Sequence, residues 1–313
     1  MPPFLSVIMP VYNGERYIAE ALESVRKEYV EGIELVVVDD CSSDRTLEIV
    51  NRYSEFFPIR TVRTQRTGNS VIVSNIGLEE AHGEWVCYLH HDDFWLPGRI
   101  ARVREAMNRA KGAIVFHNSI FVGPNGENLG PWTCPLREGE VPPEVVWEHL
   151  LVQNFIAIPS PVFRRREASE SGAMDKSVWI SADWDLWLRL AEMGPAQFIA
   201  EPLTAYRIHP ASLTLARHFP QGEWHRQLTV VLDRNLQKWP VTGRRRRSVE
   251  RAARASIEVN AALASASRGE SVRLFATFLP PLLLGPANWH RYLRDSRIIE
   301  RVGARLRLRK VRH

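Results

Sequence analysis

The 313-residue chain has only three cysteines, Cys41, Cys87 and Cys134. They are far apart, odd in number and match no zinc spacing, which excludes a disulfide scaffold and a cysteine zinc site and suggests a reducing compartment. No Gly-x-Gly-x-x-Gly follows the first apolar run and no Gly-Lys-Ser/Thr phosphate loop occurs, so a nicotinamide or P-loop reading loses its support. Long hydrophobic runs are missing too. The longest, Leu274 to Pro286, is interrupted by Pro280-Pro281 and is too short to span a bilayer. The segment Met1-Pro2-Pro3-Phe4-Leu5-Ser6 lacks the basic and apolar regions of a secretory leader, which predicts a cytoplasmic protein.

What is present reads as an α/β protein. Apolar runs 6–11, 33–38, 59–62, 85–89 and 113–116 predict strands. They alternate with helices expected over 17–25, 42–53, 70–81 and 97–110. That alternation predicts a mainly parallel sheet with right-handed crossovers. Both acidic pairs, Asp39-Asp40 and Asp92-Asp93, then fall at C-terminal strand ends, where open α/β sheets bind ligands. Residues 120–180 read as irregular, with a hairpin turn at Gly123-Pro124-Asn125-Gly126. Further helices are expected over 183–193 and 221–239.

The most informative stretch is Tyr88-Leu89-His90-His91-Asp92-Asp93-Phe94-Trp95-Leu96-Pro97. Carboxylate oxygens there suit Mg²⁺ or Mn²⁺ with coordination sites left for phosphate. The alternative is that Asp92-Asp93 merely caps a helix starting at Pro97.

Four segments together resemble the inverting family 2 glycosyltransferases. They are Ser6-Val7-Ile8-Met9-Pro10-Val11-Tyr12-Asn13-Gly14-Glu15, Val36-Val37-Val38-Asp39-Asp40-Cys41-Ser42-Ser43-Asp44-Arg45-Thr46, the stretch Asn75 to Pro97, and Asp183-Trp184-Asp185-Leu186-Trp187-Leu188-Arg189-Leu190. The resemblance spans about residues 4–212 and implies the GT-A fold, a Rossmann-like sheet flanked by helices. It also implies transfer of a sugar from a nucleotide diphosphate donor, a UDP- or dTDP-sugar, with a divalent cation. The acceptor would be a saccharide or a polyprenyl-linked sugar in cell-surface polysaccharide synthesis.

Carried onto this chain, the resemblance puts Pro10, Tyr12, Glu15 and Asp39 on the nucleotide, with Tyr12 stacking on the base and Asp39 on its imide. His90 faces the ribose and Asp92 binds the metal. Asp183 is the general base, Arg207 meets phosphate, and His209 binds the metal or a phosphate oxygen. Other roles stay open for several of these. Tyr12 can be a rim residue, Glu15 a helix-dipole partner, Asp40 a cap of the Ser42-Ser43 turn, Asp183 a helix cap and His209 structural. The commoner family pattern is Asp-x-Asp-Asp, where this chain has His90-His91-Asp92-Asp93. The softer imidazole bears on which metal is preferred. Ala182 stands where many relatives have Glu. These two departures motivate the alternative of a non-catalytic sugar-nucleotide-binding or scaffold subunit. Trp132, Trp147, Asn154 and Trp179 are candidates for the walls of an acceptor site.

Charge divides the chain. From residue 244 onward there are 17 Lys+Arg against 5 Asp+Glu, whereas residues 1–243 hold 24 against 31. The expected organisation is a catalytic domain over 1–240 and a basic helical extension over 241–313. Such an extension, with the apolar Leu274–Leu284 patch, suits an anionic membrane surface on the inner face of the cell membrane. The alternative is an extension that packs on the catalytic domain. Nucleic acid is set aside, because no reader motif accompanies the charge.

Overall fold

The structure, a computed structural model, describes residues 2–209, 212, 222–266 and 284–311. Ten strands form one sheet: β1 (Leu5–Val11), β2 (Ile33–Asp39), β3 (Ile59–Arg63), β4 (Trp85–Tyr88), β5 (Phe94–Trp95), β6 (Ile114–Val122), β7 (Asn128–Trp132), β8 (Gly139–Val141), β9 (Val162–Arg164) and β10 (Ala196–Arg207). The helices are α1 (Ile18–Glu28), α2 (Thr46–Tyr53), α3 (Ser70–Glu80), α4 (Arg99–Arg109), α5 (Pro143–Val152), α6 (Arg165–Glu170), α7 (Ala182–Ala191), α8 (Glu223–Lys238), α9 (Gly243–Ala266), α10 (Pro286–Ser296) and α11 (Ile298–Val311).

The sheet order is β3-β2-β1-β4-β9-β6-β10-β5, with β7 on β6 and β8 on β10. The first four strands are parallel, as the alternation predicts. β1 is buried along its whole length and β2 nearly so, because helices cover both faces. Pro10 is tolerated in β1 because β4 pairs only as far as Ile8, so Pro10 sits beyond the end of that ladder. Beyond β4 the sheet becomes mixed. β9 runs antiparallel to both β4 and β6, and β10 then runs parallel to β6. The strand ends of β1, β2, β4, β6 and β10 therefore share one edge.

Several expected elements shift. Residues 196–207 form one long strand, β10, whose register slips on either side of Pro202. The 120–180 region is more regular than expected, with three strands and α5, which begins on Pro143 at its first turn. The Gly123–Gly126 turn closes the β6–β7 hairpin, with Gly126 at φ 85°. The helix expected from Pro97 begins instead at Arg99. Its first N–H groups are satisfied from α1, since Glu28 accepts from Gly98 N at 2.9 Å and Ile100 N at 3.1 Å. Asp92 and Asp93 are therefore not its cap.

One core layer joins β1, β2 and β4 to α1 and α4 through Val7, Met9, Leu22, Val37 and Val103. The other joins Ile8, Val86 and Tyr88 to Trp147, Trp184 and Trp187, and onward to Val249, Ala252 and Ile257 of α9, Tyr292 of α10 and Ile298 of α11. The expected boundary near 240 lies between α8 and α9, yet the helices after it share this core. Many of the basic residues there bind protein oxygens. Glu148 pairs with Arg245 and Arg291, Asp295 with Arg294, and Glu300 with Arg297, while Arg307 donates to Leu129 O at 2.6 Å. The apolar patch expected over Leu274–Leu284 lies outside the described residues except for Leu284.

Candidate active site

The loops after β1 and β2 interlock. Asn13 N donates to Ser42 Oγ at 2.9 Å, and Asn13 Oδ1 accepts from Ser43 N at 2.9 Å. Gly14 N donates to Thr46 Oγ1 at 2.8 Å, and Glu15 N to Asp44 Oδ2 at 3.0 Å. Asn13 and Cys41 both sit at positive φ, 48° and 66°, a conformation that non-glycine residues hold only when the surroundings over-determine it. Gly14 must lack a side chain because a Cβ there would lie 2.7 Å from His91 Cδ2 and from Val11 Cγ2. The sequence segments around Tyr12 and Asp40 are thus halves of one rigid platform, carried against the His90–Asp93 turn.

Several expected nucleotide contacts change character. Tyr12 is exposed at 40%, as a stacking ring must be, but Arg66 lies over one face with its guanidinium carbon 3.4 Å from the ring centre. Asp39 is fully buried and both its oxygens accept from Ser42 N at 3.1 Å, with Arg63 Nε at 3.4 Å. The cap of the Ser42-Ser43 turn is therefore Asp39, not Asp40. Asp40 instead holds the 64–68 loop through Thr67 N at 2.6 Å, Gly68 N at 3.0 Å and the Arg66 guanidinium. Burial raises Asp40, but these hydrogen bonds win and hold it below the usual carboxylate range. Pro10 is buried in β1, so its ring is not available to a ligand. Glu15 lies before α1, and its carboxylate accepts from Arg45 N at 3.1 Å just ahead of α2.

The turn after β4 brings together His90, Asp92 and Asp93, whose ligand atoms lie within 4.8 Å of one another. From the end of β10, His209 Nε2 approaches Asp92 Oδ2 at 3.0 Å. Burial pushes Asp92 up, but the hydrogen bond with His209 and the nearby His91 and His90 hold it well below the ordinary range. Asp93 moves the other way, raised by burial and then by the Asp92 charge. Its Oδ1 accepts from Arg207 N at 2.9 Å, while among the described residues its buried Oδ2 has no hydrogen-bond partner. An orphaned carboxylate oxygen beside an imidazole and a second carboxylate fits a divalent cation. The sequence reading does not single out Asp93; its place beside His90 and Asp92 and its unpartnered oxygen make it a candidate ligand.

Arg207 corrects an expectation. Its side chain is buried, and all three guanidinium nitrogens bind protein. Nε donates to Asp92 O at 2.8 Å, Nη1 to Gly123 O at 2.9 Å and Nη2 to Glu20 Oε2 at 2.5 Å. Arg207 therefore fixes the His90–Asp93 turn and the β6–β7 hairpin rather than meeting phosphate.

Across Arg207 opens a cavity of about 200 Å³ that is also lined by Asp183, Trp184, Asn154 and Tyr206. Asp183 stands in the first turn of α7, where Ser181 at the N-cap makes no side-chain cap. Its Oδ1 accepts from Trp184 N at 2.8 Å and its Oδ2 from Asn154 Nδ2 at 2.9 Å. Burial outweighs these bonds and pushes its carboxyl up to about 6. Asp185, two residues on, faces away and pairs with Arg189 at 2.9 Å, as helical spacing requires. Of the expected wall residues, Trp132 lines the cavity beside Asn154. Trp147 does not, being buried with Nε1 donating to Leu188 O at 2.6 Å. Trp179 packs against the core instead.

The model of the family described as glycosyl transferase family 2 matches residues 6–171. An uncharacterised glycosyltransferase of Rickettsia typhi is 28% identical over 229 residues, covering 68% of this chain and 66% of that protein, just under two thirds of its length. The putative teichuronic acid biosynthesis glycosyltransferase TuaG of Bacillus subtilis is 26% identical over 208 residues, covering 66% of this chain and 79% of its own length. Among solved structures, S. aureus TarS 1–349 in complex with UDP-GlcNAc superposes with a TM-score of 0.66 at 17% identity, over 94% of this chain and 79% of that one. The mannosyltransferase PcManGT of Pyrobaculum calidifontis, in complex with GDP-Man and Mn²⁺, gives 0.55 at 19% identity over 98% and 87%. These structural likenesses concern the fold, which is of the GT-A type. Together with the match over more than half of its length, they lead to one conclusion: the chain belongs to glycosyl transferase family 2.

Proposed function

We propose that this glycosyltransferase is an inverting, divalent-metal-dependent enzyme acting in cell-surface polysaccharide synthesis. The donor is a nucleotide diphosphate sugar, of the UDP or dTDP type, and the acceptor a saccharide or polyprenyl-linked sugar. The observation that carries this reading is the pairing of two carboxylate sites across Arg207. On one side Asp92 is held ionised beside three histidines, and on the other Asp183, raised to about 6, opens on a cavity. TuaG and the UDP-GlcNAc complex of TarS support the substrate classes, each by its own name.

The reaction needs one proton acceptor. As the acceptor hydroxyl oxygen bonds to the anomeric carbon, the bond to the diphosphate breaks, its electron pair leaves with the diphosphate, and Asp183 takes the hydroxyl proton. A carboxyl near 6 is mostly ionised at neutral pH and still basic enough to hold that proton. Asn154 orients the carboxylate and Trp184 N–H anchors its other oxygen. His90, Asp92 and Asp93 would hold Mg²⁺ or Mn²⁺, with His209 beside Asp92, and the ion would offset charge on the departing diphosphate. Tyr12 offers its ring to the base, with Arg66 already on one face. A lipid-linked acceptor would place the enzyme at the inner face of the cell membrane; among the described residues no helix is long and apolar enough to cross one.

The test is release of nucleotide diphosphate from a panel of donors, with and without Mn²⁺. Turnover of one donor that depends on the metal supports the reading. Nucleotide binding by calorimetry without turnover of any donor on any acceptor points to the scaffold reading instead.

A further inference from the structure

The cavity beside Asp183 is closed by the part of the chain that carries the excess positive charge. Ser256 and Asn260 of α9 and Arg301 and Arg305 of α11 all line it. Gln153, next to the Asn154 that holds Asp183, gathers these helices. Its Oε1 accepts from Ser256 Oγ at 2.7 Å, Asn260 Nδ2 at 2.8 Å and Arg301 Nη1 at 3.1 Å. The candidate base is thus linked to the C-terminal helices through the adjacent residues Asn154 and Gln153, with Gln153 Nε2 donating to Asn154 O at 3.1 Å.

The two arginines differ from several others in that region. Arg245, Arg291, Arg294 and Arg297 each have a carboxylate partner. Among the described residues neither Arg301 nor Arg305 pairs with one. Arg301 donates to the neutral side chains of Gln153 and Asn260, and Arg305 Nη1 to the backbone carbonyl of Arg301 at 3.1 Å. Both are half-buried and adjacent. Burial and the Arg305 charge lower Arg301 to about 10, and burial lowers Arg305. Bringing two guanidinium groups together off bulk solvent without an anion is unfavourable, and a planar fork of N–H donors matches phosphate oxygens closely. The same cavity is also lined by Trp132, Tyr206 and Trp224, aromatic rings of the kind that pack on sugars.

We propose that this cavity is the acceptor subsite and that Arg301 and Arg305 bind a phosphate group carried by the acceptor. The inference rests on Asp183 being the base of a sugar transfer. It adds the acceptor's chemical class, a phosphorylated saccharide or lipid, and gives the basic C-terminal helices a role inside the active site. The phosphate can come from a prenyl phosphate or from a polyol-phosphate polymer.

The test uses the full chain and follows tryptophan fluorescence, since Trp132 and Trp224 line the cavity. The probes are farnesyl phosphate and a glycerol-phosphate hexamer, with farnesol and maltohexaose as their uncharged controls. At least one phosphate probe should bind about tenfold more tightly than its control, and inorganic phosphate should displace it. Which of the two binds identifies the source. Arg305→Gln should abolish the preference, and Arg305→Lys, which keeps the charge, should retain most of it. Equal binding of probe and control, no displacement by inorganic phosphate, or an undiminished preference in folded R305Q overturns the proposal. Uridine diphosphate with Mn²⁺ is titrated separately into each protein. Its binding to R305Q shows that the variant is folded. Its failure to bind the wild type counts against the underlying reading, which the phosphate arms do not measure.

Discussion

Asp92 and Asp183 are the same residue type on two sides of Arg207, and their surroundings drive them in opposite directions. Around Asp92 three histidines outweigh burial and keep the carboxylate charged. Around Asp183 there is one neutral amide and one backbone N–H, and burial wins, taking the group to about 6. The first arrangement suits a group that must always present negative charge to a cation. The second suits one that must gain and lose a proton near neutrality. The two regions also differ in construction. The edge around Asp92 is built largely from loops that follow adjacent parallel strands, whereas the cavity around Asp183 needs α9 and α11, more than sixty residues further along the chain.

The largest effect should come from removing the C-terminal helices. Deleting residues 243–313 would strip Val249, Ala252, Ile257 and Tyr292 from the shared core and open the cavity beside Asp183. A truncated chain should lose both cooperative unfolding and turnover, measured by thermal melt and donor assay. The shared core favours the alternative in which the basic extension packs on the catalytic domain. If the truncation folds and turns over normally, the comparison fails on its acceptor side.

On the donor side, Asp92→Ala should abolish Mn²⁺-dependent nucleotide diphosphate binding in calorimetry and lower the melt at neutral pH, because a carboxylate held below its ordinary range contributes stability there. His209 keeps the bond from its backbone N to Ser212 Oγ. Retained metal dependence would move the cation away from this turn.

Asp183→Asn should spare donor binding and cut turnover by about 10²-fold or more. It should also raise stability at pH 7, by about 1–2 kcal/mol. A carboxyl raised in the folded state contributes stability that is present below its unfolded pKa near 4 and lost as pH rises to about 6. The amide removes that loss. Near wild-type turnover would reduce Asp183 to a helix-start residue.

The smallest effect sharpens the same contrast. Asn154→Ala removes a donor to the ionised carboxylate, so the Asp183 pKa should rise and the acidic limb of the pH–rate profile move upward from about 6. Turnover at pH 7 should fall several-fold and recover toward pH 8. A limb that stays in place would separate the pH dependence from Asp183.

The legibility of these two regions in the sequence differs for the same reason. Tyr12, Asp39 and Asp92 stand in short motifs after apolar runs, and strand direction alone brings them to one edge. Their individual partners were less legible. Asp39 takes the cap expected of Asp40, while Asp40 is held by the 64–68 loop that folds back onto it, and the alternation of strands does not encode that loop's path. The family resemblance makes Arg207 a phosphate ligand. Its engagement by Asp92 O, Gly123 O and Glu20 depends on three segments far apart in the chain. Asn154, Gln153, Arg301 and Arg305 carry no motif at all.

The sequence by itself determined the alternating α/β pattern, the acidic strand ends and the candidate base, because these follow from local periodicity and from residue types at strand ends and helix starts. Tertiary structure alone decided what charge each carboxylate carries, which arginine is internal and what closes the cavity. Those properties depend on burial and on partners across the chain, and neither is a property of any short segment.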